Sequence, residues 1–168
     1  MKLWDVTNIV ARYRISAADR RIEVSGRLWL HGGGRVAVGE ATRFSGGASG
    51  IELFAMADGF IIIGAGCYFA EGVSIEATRS VTIGDRVRLG AFTKILDNNF
   101  HPLRGSRHTR TAPSPVVIED DVQIGSRVIV LPGVVIERGA LIQPGAVVTR
   151  RVPAGAEVAG NPARRVQS

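Results

Sequence analysis

From Ile118 onward an aliphatic residue recurs at every sixth position: Ile118, Ile124, Val130, Ile136, Ile142 and Val148. Four residues after each stands a second small or β-branched one, at Val122, Val128, Val134, Ala140, Ala146 and Val152. A six-residue period with two inward positions per unit fits neither an amphipathic helix nor a plain alternating strand. It predicts a parallel β-helix, in which each hexapeptide supplies one short strand and one turn and three hexapeptides close a triangular coil of about 18 residues. The pattern continues upstream in shifted phase. Ile63, Phe69 and Ile75 form one set; a two-residue slip leads to Ile83, Leu89 and Ile95. The inward partners predicted there are Cys67, Val73, Val87, Thr93 and Asn99. Earlier, Ile22/Val24, Leu28/Leu30 and Val36/Val38 read as short strands bounded by Gly26, Gly32 to Gly34, and Gly39. Two coils are expected after Ile118, about two between Ile63 and Phe100, and one to two before. Residues 1 to about 20 carry no repeat and are expected to cap the open end of the solenoid, with a short helix as one possibility.

The long break in the pattern lies between Ile95 and Ile118. The segment of about 98–115 holds His101, Pro102, Arg104, Gly105, Arg107, His108, Arg110, Pro113 and Pro115. A long loop on a regular scaffold is where function concentrates, and this one carries two of the three histidines.

Composition narrows the reading. The 168 residues make one domain with a continuous core. Aromatic residues are 6% of the chain, which fits a narrow core with no room for large rings. No apolar run reaches the roughly 18 residues of a membrane span, and Met1-Lys2-Leu3-Trp4-Asp5 does not open a signal peptide. Cys67 is the one cysteine, so no internal disulfide forms and a cytoplasmic setting is expected, with Cys67 packed inward rather than reactive. Net charge is +6, and only Lys2 and Lys94 of the 21 basic residues are lysines. The arginines gather at Arg104, Arg107 and Arg110 and again at Arg150, Arg151, Arg164 and Arg165. With no nucleic-acid motif and few rings to stack bases, these clusters point to an anionic small molecule rather than a nucleic acid.

The run Ile95-Leu96-Asp97-Asn98-Asn99-Phe100-His101-Pro102-Leu103 resembles the histidine loop of the hexapeptide-repeat acetyltransferases. Within that group it is similar to the maltose/galactoside acetyltransferases and the polysaccharide-biosynthesis O-acetyltransferases. The tail adds Pro115 to Ile118, Val122-Gln123-Ile124-Gly125-Ser126, Pro132-Gly133-Val134, Gly145 to Thr149, and Val158-Ala159-Gly160-Asn161-Pro162-Ala163. The resemblance covers about residues 60–166. It implies an all-β, left-handed parallel β-helix with one protruding loop, a homotrimer with sites between neighbouring subunits, and acetyl-CoA as donor. It makes His101 the catalytic base. An acceptor hydroxyl attacks a thioester poorly until a base of near-neutral pKa takes its proton. The backbone amide of Ser126 is implied as oxyanion donor, and Ser126, Pro144, Thr149, Arg150 and Arg164 as CoA contacts. No metal is expected.

Departures bear on the acceptor. Gln123 stands where many relatives carry Trp. The sugar-holding Asn and Asp of the maltose/galactoside enzymes align near Ala70 and Ala77-Thr78, which argues against those sugars. Asp97, Asn98, Glu71 and Arg104 are the candidate acceptor contacts, Asp97 alternatively orienting His101. The expected acceptor is a saccharide hydroxyl or a nucleotide-linked sugar of surface-polysaccharide or glycan-precursor synthesis, with the amine of an amino sugar as the alternative. Two more distant readings are a non-catalytic scaffold and a γ-type carbonic anhydrase. The latter needs three zinc-binding histidines, whereas His31 lies in an early coil and His101 and His108 share one loop.

Overall fold

A computed structural model describes residues 22–99 and 111–166. The predicted cap at 1–20 and the heart of the predicted loop, with His101, Arg104, Arg107, His108 and Arg110, lie outside the described residues. The chain winds as a solenoid. Its first coil is β1 (Glu23–His31) and β2 (Arg35–Val38); its second is β3 (Arg43–Ala55) and β4 (Phe60–Ile63). The third is β5 (Tyr68–Phe69), β6 (Ser74–Ala77) and β7 (Ser80–Ile83); the fourth is β8 (Arg88–Leu89), β9 (Lys94–Leu96) and β10 (Val116–Ile118). The fifth is β11 (Gln123–Ile124), β12 (Ile129–Val130) and β13 (Val135–Ile136); β14 (Leu141–Ile142), β15 (Val147–Val148) and the bridging Val152 form the sixth. Last, β16 (Glu157–Ala159) extends the stack and β17 (Arg164–Arg165) turns back antiparallel to it.

Successive coils pair in parallel and generate three faces. The first runs from the N-terminal part of β3 through β5, β8, β11, β14 and β16. The second runs from the C-terminal part of β3 through β6, β9, β12 and β15, and the third through β2, β4, β7, β10 and β13. This is the parallel β-helix that the repeat predicts, left-handed as the resemblance implies. No helix long and apolar enough to cross a membrane occurs among the described residues.

The inward series is buried throughout, from Ile118 to Val148 and from Val122 to Val152, each side chain stabilising the stack by roughly 1.5–3 kcal/mol for the largest aliphatics. The slip has a structural counterpart. In the middle coils Tyr68 pairs with Arg88 and Ser74 with Lys94, twenty residues on, whereas Gln123 pairs with Leu141 eighteen residues on. The two extra residues are the turn at Thr78-Arg79.

Three expectations are corrected. Gly26 does not end a strand; it sits inside β1 as a bulge at φ +79, facing Gly47 of β3. A Cβ on Gly26 would fall 2.5 Å from the Gly47 nitrogen, so only glycine lets the two long strands bend together around the corner. Asn99 is exposed; after Ile95 the inward place goes to Asp97, with Asn98 also buried. The core does hold rings: Phe44 and Phe69 are fully buried in successive coils, their centroids 4.9 Å apart.

Many corners are two-residue turns whose second residue has positive φ. Five such places carry side chains: Ala41, Arg86, Phe92, Asp121 and Arg127. Each costs roughly 1–2 kcal/mol relative to glycine. Arg86 and Asp121 stack on one corner, where Arg86 donates two hydrogen bonds to the carboxylate, Nε to Oδ1 at 2.6 Å and Nη2 to Oδ2 at 2.8 Å. Phe92 and Arg127 stack on another with only the guanidinium 6.0 Å from the ring centroid. An exposed contact of that kind returns about 0.5–1 kcal/mol, less than the two conformations cost.

Candidate active site

The long loop leaves and re-enters the solenoid at the corner between the second and third faces, and its neck is closed by Ser114, whose N–H donates to the Asp97 carbonyl at 2.7 Å. The Asp97 side chain turns the other way, into the preceding coil. Oδ1 accepts from the Thr78 N–H at 2.8 Å, and Oδ2 from those of Arg79 and Ser80 at 2.6 and 2.8 Å. Asn98 Nδ2 donates to Thr78 Oγ1 at 2.7 Å. Asp97, expected among acceptor contacts, therefore has its carboxylate occupied by main-chain donors and anchors the neck of the loop; Asn98 is tied to the same turn.

Ser126 and Pro144 come together on the corner between the first and second faces, where the Gly145 N–H donates to the Ser126 carbonyl at 2.9 Å. The Ser126 amide, like those of Glu71 and Ala91 before it on the same corner, has no acceptor among the described residues. On the corner between the third and first faces four of the equivalent turn amides are capped by carboxylates: Ala65 by Asp85 Oδ1 at 2.8 Å, Asp85 by Asp120 Oδ1 at 3.0 Å, Arg138 by Glu119 Oε2 and Ala154 by Glu137 Oε2, both at 2.9 Å. Gly90 lies directly over the Ser126 amide, and a Cβ there would stand 2.5 Å from the Ser126 nitrogen. Pro144 has no N–H to offer a ligand; its exposed ring forms a wall instead.

That wall borders a groove of about 240 Å³ on the first face, lined by Tyr68, Arg88, Gln123, Leu141, Gly125 and Pro144 among others. Tyr68 and Arg88 close one end, the guanidinium 5.5 Å from the ring centroid. Of these Gln123, Gly125 and Pro144 stand out in the sequence. The others escape because they come from separate coils, and the inserted loop breaks the constant spacing that would align Arg88 with Gln123.

Thr149 and Arg150 are exposed on the next corner, between the second and third faces, on the side where the loop neck lies. Arg164 is exposed in β17 opposite Ala159, donating to the Ala163 carbonyl at 3.0 Å. One chain thus presents the proposed CoA contacts on two different corners, with the second face between them. Glu71 precedes Ser126 on the Ser126–Pro144 corner, its carboxylate leaning against Gly47. His31 is half-exposed on the second face, where Nε2 lies 2.7 Å from Glu52 Oε1. No group of three His, Cys, Asp or Glu side chains that could hold a metal occurs among the described residues. Cys67 is buried, with its thiol pushed up to about 11 mainly by desolvation and Sγ 3.1 Å from the Gly84 carbonyl.

Residues 115–150 match the bacterial transferase hexapeptide family (six repeats). A 2,3,4,5-tetrahydropyridine-2,6-dicarboxylate N-acetyltransferase of Staphylococcus aureus is 54% identical over 54 residues, 32% of this chain and 23% of that protein. The chain therefore spans under a quarter of that curated relative. Among solved structures, a maltose O-acetyltransferase from Clostridium difficile 630 superimposes with a TM-score of 0.62 at 25% identity, over 96% of this chain and 73% of the other. An N-acyltransferase from Bacillus cereus, in complex with dTDP and 3-hydroxybutyryl-CoA, gives a TM-score of 0.79 at 16% identity, over 100% and 90% of the two chains. The hexapeptide repeat of bacterial transferases and their β-helical fold are thus both present in this chain.

Proposed function

We propose that this hexapeptide-repeat chain is an acetyltransferase that moves the acetyl group of acetyl-CoA to a saccharide hydroxyl, in surface-polysaccharide or glycan-precursor synthesis. The observation that carries the reading is the open amide of Ser126 beside the groove, on a corner whose turn amides carry no carboxylate caps, unlike four on the corner between the third and first faces. His101 takes the acceptor proton as the oxygen attacks the thioester carbonyl. The developing oxyanion is held by the Ser126 N–H. The C–S bond then breaks, and the CoA thiolate leaves and recovers the proton. The pantetheine arm lies along the groove by Pro144, and Thr149, Arg150 and Arg164 meet the anionic end of CoA. The separation of these groups on two corners supports sites shared between subunits of a homotrimer, each corner facing the other kind in its neighbour. Glu71, Asn98 and Arg104 remain the acceptor contacts of this reading.

A second reading, transfer to an amine, is favoured by the local identity to an N-acetyltransferase and by the likeness to an N-acyltransferase. Thiol release from acetyl-CoA by wild type and His101→Ala, over a panel of sugars, amino sugars and nucleotide-sugars, tests both. Loss of about 100- to 10,000-fold in the variant with CoA binding intact is expected, and the productive acceptor tells oxygen from nitrogen. A wild type that neither binds CoA nor releases thiol would overturn the reading.

A further inference from the structure

Phe92 and Arg127 are the second residues of successive turns on the corner that also carries Ser126, and their neighbours in the same column, Gly72 and Gly145, are glycines. Both hold positive φ, and their mutual contact does not repay that strain. The ring of Phe92 is 46% exposed and rests where Gly72 lacks a side chain. Arg127 is exposed, and among the described residues no carboxylate pairs with it, in contrast to Arg86, Arg138 and Arg151. A strained, exposed aromatic beside an unpaired guanidinium is a ligand surface rather than a packing device.

Its place relative to Ser126 says which ligand. The groups proposed for the anionic end of CoA, Arg150 and Arg164, lie toward the C-terminal end of the solenoid from Ser126; Phe92 lies one coil toward the N-terminal end. In the acetyl-transfer reading, a thioester carbonyl held at the Ser126 amide would lie between the two. We propose that Phe92 and Arg127 form the acceptor subsite and that the acceptor is an anionic saccharide, its ring on Phe92 and its phosphate or carboxylate against Arg127. This inference rests on the acetyl-transfer reading and deepens it. Glu71, one coil earlier on the same corner, has its carboxylate beside Gly47.

The experiment pairs calorimetric binding of glucose 1-phosphate, UDP-glucose, glucuronate, glucose and CoA with thiol-release kinetics and melting curves, for wild type, Phe92→Asn and Arg127→Gln. Asn tolerates positive φ, so Phe92→Asn is expected to melt no lower than wild type while losing affinity for the charged sugar that wild type binds. Arg127→Gln is expected to weaken that sugar about tenfold, as loss of one charge-assisted contact does, and to abolish the preference over glucose. CoA affinity stays unchanged in both. Weakened CoA with unchanged sugar binding would assign the pair to the donor nucleotide and overturn the proposal. So would a lower melting point for Phe92→Asn with unchanged ligand binding, or a wild type that binds no charged probe. Charged-sugar binding lost in the variants, with no thiol release by wild type, would keep the subsite and sink the acetyl-transfer reading instead. Thiol release that ignores both substitutions would do the reverse.

Discussion

Asp97 Oδ2 accepts a hydrogen bond from the main-chain N–H of Ser80 at 2.8 Å, tying the mouth of the long loop to the turn of the preceding coil. The same carboxylate serves Thr78 and Arg79, so three turn amides depend on one buried side chain. Asp97→Ala leaves those donors unpaired and is expected to cost on the order of 3 kcal/mol in urea unfolding. Asp97→Asn keeps one acceptor oxygen and should fall between the two. If Asp97 were instead an acceptor ligand, Asp97→Asn would raise the acceptor KM with the urea midpoint unmoved.

Gly90 over the Ser126 amide gives a second expectation. The Cβ of Gly90→Ala would press on the Gly125 carbonyl carbon and the Ser126 nitrogen, both 2.5 Å away. Overpacking against main chain costs about 1–3 kcal/mol. Displacing an oxyanion donor lowers kcat by about 100- to 1,000-fold. Variants in which stability falls while kcat per folded molecule is unchanged would remove Ser126 from the chemistry.

How much of this was legible depended on whether a residue answers to its own coil or to its neighbours. The inward frame from Ile118 to Val152 was readable because every rung repeats one demand, a small or branched side chain in a narrow prism. Thr78-Arg79 showed as a slip for the same reason. The anchoring role of Asp97 is not visible in the sequence, since a buried carboxylate breaks the apolar rule and its partners lie a coil back. Gly26 looked like a strand end because glycine marks bulges and breaks alike. The groove, and the pair Phe92 and Arg127, arise only when coils stack. Nothing in the letters Phe and Arg signals positive φ, and the loop insertion hides the register that brings them together.

The pair Arg86 and Asp121 predicts an acid-side dependence. Hydrogen bonding to the guanidinium, ahead of its charge, holds the Asp121 carboxyl below its ordinary value. A lowered folded pKa means the contribution is complete above the ordinary carboxylate range and is lost as pH falls through the folded value. The melting-point gap between wild type and Asp121→Asn should therefore be flat from about pH 8 to about pH 5, then close below about pH 4. Both groups are exposed, so the gap should also shrink in about 1 M salt. A gap that persists in acid would mean Asp121 acts through its turn conformation rather than its charge.

Cys67 predicts the opposite limb. Burial pushes its thiol up to about 11, so the folded state holds a proton that the unfolded chain releases near the ordinary thiol value. Stability from this group is whole below about pH 8.5. It declines as pH rises toward about 11, where the folded thiol also ionises, with a slope approaching about 1.4 kcal/mol per pH unit between the two values. Urea midpoints measured across that range should fall for wild type and stay flatter for Cys67→Ala, which starts lower because the smaller side chain leaves space between Thr42 and the Gly84 carbonyl. Labelling by a disulfide reagent gives the independent check. The native thiol should react slowly at about pH 8 and rapidly once urea opens the coil. Fast native labelling together with parallel pH slopes would show that the coil around Cys67 opens without unfolding, and that its burial contributes nothing to the alkaline limb.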